Sequence, residues 1–258
     1  MKFTKMHGCG NDFIVLNSFN NEISLSKDEV KKMCSRTYGI GADGILLISK
    51  SNVADVKMEI INSDGTKAEM CGNGIRCIAK FAYNNKIIDK EIFTIETGAG
   101  IKIVELIFND KECTGVKVNM GSPVFLENPA KDEYDLYCVS VGNPHAVMIV
   151  NDFDDNIVKI LGPKIENHKG FVNKTSVEFV KIKDKENVEM RVWERGCGET
   201  AACGTGACAT VSVLNHIGLI NNHCNVKMLG GDLSIDIIDN NIFMAGEAIK
   251  VFEGEVEI

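Results

Sequence analysis

Apolar and polar residues follow one another along this chain in a pattern that predicts strands and helices in mixed order. Asp12-Phe13-Ile14-Val15-Leu16-Asn17 is an apolar run with polar ends, which predicts a strand. Ser26-Lys27-Asp28-Glu29 has a hydroxyl followed three residues later by a carboxylate, a capping box that opens a short helix carrying Val30, Met33 and Cys34. A turn-rich stretch, Gly39-Ile40-Gly41-Ala42-Asp43-Gly44, leads into a buried strand over 45–48. Val56, Met58 and Ile60 alternate with polar residues and mark a half-buried strand that stops at Asn62-Ser63-Asp64-Gly65. Cys71-Gly72-Asn73-Gly74 then opens a helix whose apolar face is Ile75, Ile78, Ala79 and Ala82. A strand, a hairpin at Gly98-Ala99-Gly100 and a second strand follow.

The order of elements then begins again. Gly10-Asn11 matches Gly142-Asn143, Cys71 matches Cys203 and Gly98 matches Gly230, each pair 132 residues apart (203 − 71). In the same register Asn62 meets Glu194, Gly44 meets Ser176, Ile103 meets Ile235, and the helix after Ser26 meets the segment 156–168. An unbroken register across glycines, cysteines and apolar runs is the signature of an internal duplication. The segment 122–136 contains Pro123, Pro129 and several acids and reads as a linker between the copies. The expected fold is α/β of the α+β type: two pseudo-symmetric mixed domains, 1–121 and 122–258, the last strand free to return to the first, with a site in the cleft between them.

Composition narrows the class. At 258 residues, with 45% hydrophobic and 25% charged residues, the chain can bury a large core without staples. A net charge of −8 with dispersed cations argues against a nucleic-acid partner or an anionic membrane surface. Met1-Lys2-Phe3-Thr4-Lys5-Met6-His7-Gly8 lacks the apolar stretch of a leader and no run approaches the length of a membrane span, so a cytoplasmic setting is expected. In that setting the ten cysteines are expected to be reduced, several of them as small hydrophobes.

Two of those cysteines, Cys71 and Cys203, stand immediately before a Gly-x-Gly helix start. The first turn of a helix has unpaired N–H groups and a partial positive charge, which attract a carboxylate and favour a thiolate. An α-amino acid held by the N–H groups of Gly72, Asn73, Gly204 and Thr205 would have one thiol on each face of its α-carbon. One sulfur can then remove the α-proton while the other returns a proton to the opposite face, inverting the centre without a cofactor. Asn11, Asn62, Asn143, Glu194 and Arg195 lie near the same turns as candidate substrate contacts, and Arg195 has the planar fork that suits a second carboxylate.

His7-Gly8-Cys9-Gly10-Asn11-Asp12-Phe13, Asn62-Ser63-Asp64-Gly65, Cys71-Gly72-Asn73-Gly74-Ile75-Arg76-Cys77, Gly142-Asn143-Pro144-His145, Glu194-Arg195-Gly196-Cys197-Gly198-Glu199-Thr200 and Ala202-Cys203-Gly204-Thr205-Gly206-Ala207-Cys208 together resemble the signatures of the diaminopimelate epimerases. The resemblance covers essentially the whole chain. It implies interconversion of LL- and meso-diaminopimelate, a step toward lysine and cell-wall precursors, with no cofactor and no metal, in a homodimer. It also implies Cys71 and Cys203 as the acid–base pair, with Asn11, Asn62, Gly72, Asn73, Asn143, Glu194, Arg195, Gly204 and Thr205 on the substrate and His145 and Ser176 in supporting places. Where the family pattern has an arginine and an asparagine ahead of Val177-Glu178-Phe179, this chain has Lys174 and Ser176.

Other readings of the same residues stand beside it. An epimerase or racemase of the same chemistry acting on a different amino acid is the alternative raised by Lys174 and Ser176, and a non-catalytic amino-acid-binding protein is the alternative from another class. Zinc is disfavoured because Cys71 and Cys77, or Cys197, Cys203 and Cys208, lack Cys-x-x-Cys spacing. Gly39-Ile40-Gly41 and Gly204-Thr205-Gly206 lack the strand, third glycine and downstream acid of a dinucleotide loop.

Overall fold

A computed structural model describes residues 1–257, and of Asp155 the backbone alone. The chain divides into two units, Met1–Val118 together with the chain from Gly246 onward, and Asn119–Ala245.

The first unit is built from β1 (Lys2–Gly8), β2 (Asn11–Asn17), α1 (Lys27–Cys34), β3 (Gly44–Ser49), β4 (Val56–Asn62), β5 (Lys67–Ala68), α2 (Gly72–Asn84), β6 (Ile92–Thr97), β7 (Gly100–Asn109) and most of β8 (Glu112–Gly121). β1 and β2 form an antiparallel hairpin, β2 and β3 are parallel, β3 and β4 antiparallel, β4 and β6 parallel, and β6 and β7 antiparallel. α1 starts as the sequence predicts: the Ser26 hydroxyl accepts from Glu29 N–H and the Glu29 carboxylate accepts from Ser26 N–H. Its Val30, Met33 and Cys34 pack with Ile14, Leu16, Ile45, Leu47 and Ile61.

The second unit repeats the plan with β9 (Val124–Leu126), β10 (Tyr137–Ser140), β11 (Pro144–Ile149), α3 (Asp155–Glu166), β12 (Ser176–Ile182), β13 (Asn187–Glu194), β14 (Gly198–Thr200), α4 (Gly204–His216), β15 (His223–Met228), β16 (Gly231–Ile238) and most of β17 (Asn241–Glu247). Its pairings are the same in kind and order, from the β10–β11 hairpin through parallel β11 and β12 to the antiparallel β15–β16 pair. Val158, Ile165, Val177, Phe179 and Ala146 form its core, with Trp193 packed on the edge. The final strand, β18 (Ile249–Glu255), lies antiparallel to β1 with Lys2 beside Glu255.

Register carries the duplication into space. Phe13 on β2 stands beside Gly44 on β3, and His145 on β11 stands beside Ser176 on β12, each member of one pair 132 residues from its counterpart (145 − 13; 176 − 44). α2 and α4 each run 13 residues and begin 132 residues apart (204 − 72).

Two features depart from the pattern reading. The segment 122–136, expected as a linker, carries β9, which pairs with β10, and the Asn128 side chain closes the next loop by bonding Tyr134 O and Ala130 N–H. Nor does α2 have a solvent face along most of its length. It packs against β1, β2, β3, β4 and β7, and every residue from Gly72 to Ala82 is buried, Arg76 and Lys80 included. A helix enclosed on all sides is set by its neighbours and not by an apolar stripe.

Candidate active site

In the first unit the strand order delivers Asn11, at the start of β2, to the head of α2. Cys71 is the N-cap of α2, in extended backbone at φ −145° and ψ 117°, and its sulfur accepts from Gly74 N–H at 3.4 Å. The thiol donates to Asn11 Oδ1 at 3.4 Å, and Asn73 Nδ2 donates to the same oxygen at 3.4 Å. Asn11 presents its oxygen to the thiol because its nitrogen is committed elsewhere: Nδ2 donates to Asp43 Oδ2 at 2.8 Å. Asp43 is itself held by Arg36 Nη2 at 2.8 Å. Asn62 ends β4 exposed, with Nδ2 donating to Thr66 Oγ1 at 3.1 Å.

Beneath this cluster Arg76 is completely buried. Nη1 donates to Gly72 O at 3.0 Å, Nη2 to Asn73 Oδ1 at 2.8 Å and Cys9 Sγ at 3.4 Å, and Nε to Glu247 O at 3.2 Å. The guanidinium fork therefore fixes the Gly72-Asn73 turn from below.

Next to Asn11, Asp12 bonds Arg36 Nη2 at 2.7 Å and Lys5 Nζ at 2.6 Å, and Lys5 also donates to Gly41 O. Burial alone would raise the Asp12 carboxyl, but the hydrogen bonds and charges of Arg36 and Lys5 outweigh it and hold it at about 2. A carboxylate depressed below its unfolded value stabilises the fold above about pH 4, and that contribution disappears as pH falls through the folded value near 2. Wild type should therefore lose about 2 kcal/mol of its advantage over Asp12→Asn between pH 5 and pH 2. Urea unfolding of both proteins across that range measures it, and a constant difference would contradict the assignment.

The second unit makes the same helix start with different surroundings. Cys203, 6% exposed, caps α4 at φ −126° and ψ 113°, accepts from Gly206 N–H at 3.3 Å and lies 3.4 Å from Thr205 Oγ1. Glu194, at the end of β13, accepts from the Thr200 hydroxyl. Burial raises the Glu194 carboxyl, against the opposing hydrogen bonds of Thr200 and Cys203. Burial also pushes the Cys203 thiol well up, and the charges of Glu194 and Glu178 push it further. This sulfur is thereby kept as the neutral thiol. His145 Nδ1 lies 2.7 Å from Glu178 Oε1, with both side chains fully buried.

Arg195 is exposed; its N–H donates to Ser176 Oγ at 3.2 Å and its Nη1 to Asn173 O at 3.2 Å. Lys174 turns away toward Glu166, 3.6 Å from the carboxylate that also accepts from Trp193 Nε1 and Gly196 N–H. Asn143 is half-buried in the turn before β11, its carbonyl accepting from Val141 N–H. Gly204 is buried and Thr205 half-buried on the first turn of α4.

Comparison with known proteins places the chain. The Diaminopimelate epimerase family model matches residues 3–126 and 137–251. The chain belongs to the diaminopimelate epimerase family. A diaminopimelate epimerase of Methanococcus maripaludis strain S2 is 47% identical, with all of both chains covered, and one of Acetivibrio thermocellus is 45% identical, covering all of this chain and 99% of its own. At 14% identity, a solved hydroxyproline epimerase of Agrobacterium vitis shares the fold at a TM-score of 0.75, over 99% of this chain and 90% of its own. A solved phenazine biosynthesis protein of the PhzF family from Bacillus anthracis does so at 0.73 and 16% identity, over 100% and 99%.

Within this family member the structure brings together two groups of the sequence-predicted residues: Asn11, Cys71 and Asn73 in the first unit, and Glu194, Thr205 and Cys203 in the second. Asn62 is tied into its own turn and Ser176 to the Arg195 backbone. Sequence reasoning did not single out Asp43, Arg36, Arg76 or Glu178. The repeat register held a signal for the last, since Glu178 falls opposite Leu46, a charge where the other copy is apolar (178 − 46 is again 132).

Proposed function

We propose that the chain inverts an α-carbon of diaminopimelate, converting the LL form to the meso form, with Cys71 and Cys203 as the acid–base pair and no cofactor. The observation that carries this reading is the matched pair of cysteine N-caps, each sulfur accepting from the N–H three residues on, at 3.4 Å for Cys71 and 3.3 Å for Cys203. In this reading the substrate α-carboxylate lies at the two helix starts, on the N–H groups of Gly72, Asn73, Gly204 and Thr205, and one thiol meets each face of the α-carbon. Burial beside Glu194 and Glu178 suits Cys203 to begin as the proton donor. In this reading the Cys71 thiol, which donates to Asn11 Oδ1 before substrate binds, gives its proton to solvent as substrate enters and then takes the α-proton.

The C–H electron pair stays on carbon and delocalises into the carboxylate, whose growing charge the two helix starts stabilise. The Cys203 thiol then protonates the opposite face. Cys71 ends as thiol and Cys203 as thiolate, so the proton count balances and the reverse reaction starts from the exchanged state. Asn11, Asn62, Asn143, Glu194 and Arg195 hold the ammonium group and the distal end, with His145 and Ser176 in support. A homodimer working in the cytoplasm is part of the same reading; among the described residues no helix is long and apolar enough to cross a membrane.

A second reading keeps the chemistry and changes the amino acid. It draws on Ser176, whose hydroxyl is engaged by Arg195 N–H, and on Lys174, which faces Glu166. One experiment tests both: purified protein in deuterated water, without added cofactor, against LL-diaminopimelate, lanthionine-like diacids and common amino acids, followed by mass and chiral analysis. Deuterium at the α-carbon with loss of the LL form is the expected result. Exchange confined to a monocarboxylate would replace diaminopimelate as substrate, and no exchange on any compound would leave a protein that only binds.

A further inference from the structure

The two helix starts rest on unlike floors. At the third residue of α2, a Cβ on Gly74 would lie 3.1 Å from Leu46 Cδ2; at the third residue of α4, a Cβ on Gly206 would lie 2.8 Å from Glu178 Oε1. Leu46 and Glu178 are 132 residues apart (178 − 46), as are Phe13 and His145 on the neighbouring strands (145 − 13). The parallel register sets Phe13 beside Gly44, two residues before Leu46, and His145 beside Ser176, two residues before Glu178. One repeat therefore fills this place with Phe13 and Leu46, at 3% and 0% exposure, and the other with a buried base and acid.

Such a pair survives burial only with its groups matched. His145 Nδ1 and Glu178 Oε1 are matched at 2.7 Å, whereas His145 Nε2 and Glu178 Oε2 are buried with no hydrogen-bonding partner among the described residues. The carboxylate at Nδ1 selects the tautomer that carries its proton there, which leaves Nε2 as a bare acceptor. We propose that Glu178 is a positioning residue: it fixes His145 with Nδ1 protonated and Nε2 bare under the first turn of α4, and this pair, replaced by Phe13 and Leu46 in the other repeat, makes the Cys203 side of the site chemically unlike the Cys71 side.

As a bare acceptor, Nε2 offers a hydrogen bond to a donor on the Cys203 side of the site while Glu178 holds the other end of the ring. Among the described residues, Ser176 beside His145, Glu194 from β13 with the Thr200 hydroxyl on its carboxylate, and the Cys203 and Thr205 side chains at the head of α4 are further polar groups on this side. The role rests on the two-thiol reading above, but the tautomer does not.

Two measurements test it. In protein labelled with 15N-histidine, with His145 assigned through His145→Phe, the ring should be the Nδ1–H tautomer; the Nε2–H tautomer in wild type would overturn the proposal whatever the protein catalyses. In turnover, Glu178→Leu, which copies the packing of the other repeat, should lower kcat by about 10²-fold with KM within about threefold. Glu178→Gln, which keeps an oxygen acceptor for Nδ1–H, should retain at least about a tenth of wild-type kcat and serves alone if the leucine variant does not fold. Unchanged kcat, or a loss confined to KM or to melting temperature, would make Glu178 structural only. Failure of wild type to epimerise any substrate would overturn the functional reading and leave the tautomer result standing.

Discussion

Cys203→Ser is expected to lower epimerisation by about 10³-fold or more while leaving the unfolding midpoint nearly unchanged, and Cys71→Ser is expected to do the same. Serine is a strong N-cap, so a hydroxyl at either position still accepts from the N–H of Gly206 or Gly74 and the helix start is kept. Proton transfer is what is lost. An alcohol ionises far above the range in which a thiol works, and it is a poor base and a poor acid at neutral pH. Because inversion needs removal on one face and delivery on the other, the losses should not add: the double variant should fall little below either single one. Chiral chromatography of reaction mixtures and urea unfolding separate the two effects. Near-wild-type turnover by either single variant would end the two-thiol assignment.

Much of this arrangement was legible because it is local. The Ser26 capping box, the two cysteine-glycine helix starts and the hairpin at Gly98 need only residues a few positions apart, and local chemistry decides them. The duplication was legible for another reason: a common register leaves equal spacings that survive divergence of nearly all side chains. What escaped is the layer behind those turns, whose contacts join distant strands. Asp43 reaches Asn11 only because β2 and β3 run parallel, which no periodicity announces. Glu178 stands between Val177 and Phe179, where alternation would send it to water, yet all three are buried because β12 is covered on both faces. The strand-end carboxylate Glu194 was found by its motif, but its coupling to a buried thiol depends on the chain bringing Cys203, nine residues on, back to the end of β13 (203 − 194).

The most consequential of these hidden residues in the first unit is Arg76. Arg76→Met keeps the helix-forming tendency and most of the volume, and removes only the guanidinium. Gly72 O and Asn73 Oδ1 would then lose donors in a place closed to water, for an expected loss of about 3 kcal/mol in unfolding free energy. Activity should suffer beyond stability. Without Nη2 on its oxygen, the Asn73 amide is free to rotate away from Asn11 Oδ1, and Asn11 then loses one of the groups that aim it at the Cys71 thiol. Misplacement of that order is expected to cost about 10²-fold in kcat/KM at temperatures where the variant is fully folded. Arg76→Lys should not restore it, since a single ammonium cannot span acceptors on Gly72, Asn73 and Glu247 at once. Equilibrium unfolding paired with initial rates below the transition checks both parts. A variant that is destabilised yet turns over at the wild-type rate would reduce Arg76 to a packing residue and leave the orientation of Asn73 to the helix backbone alone.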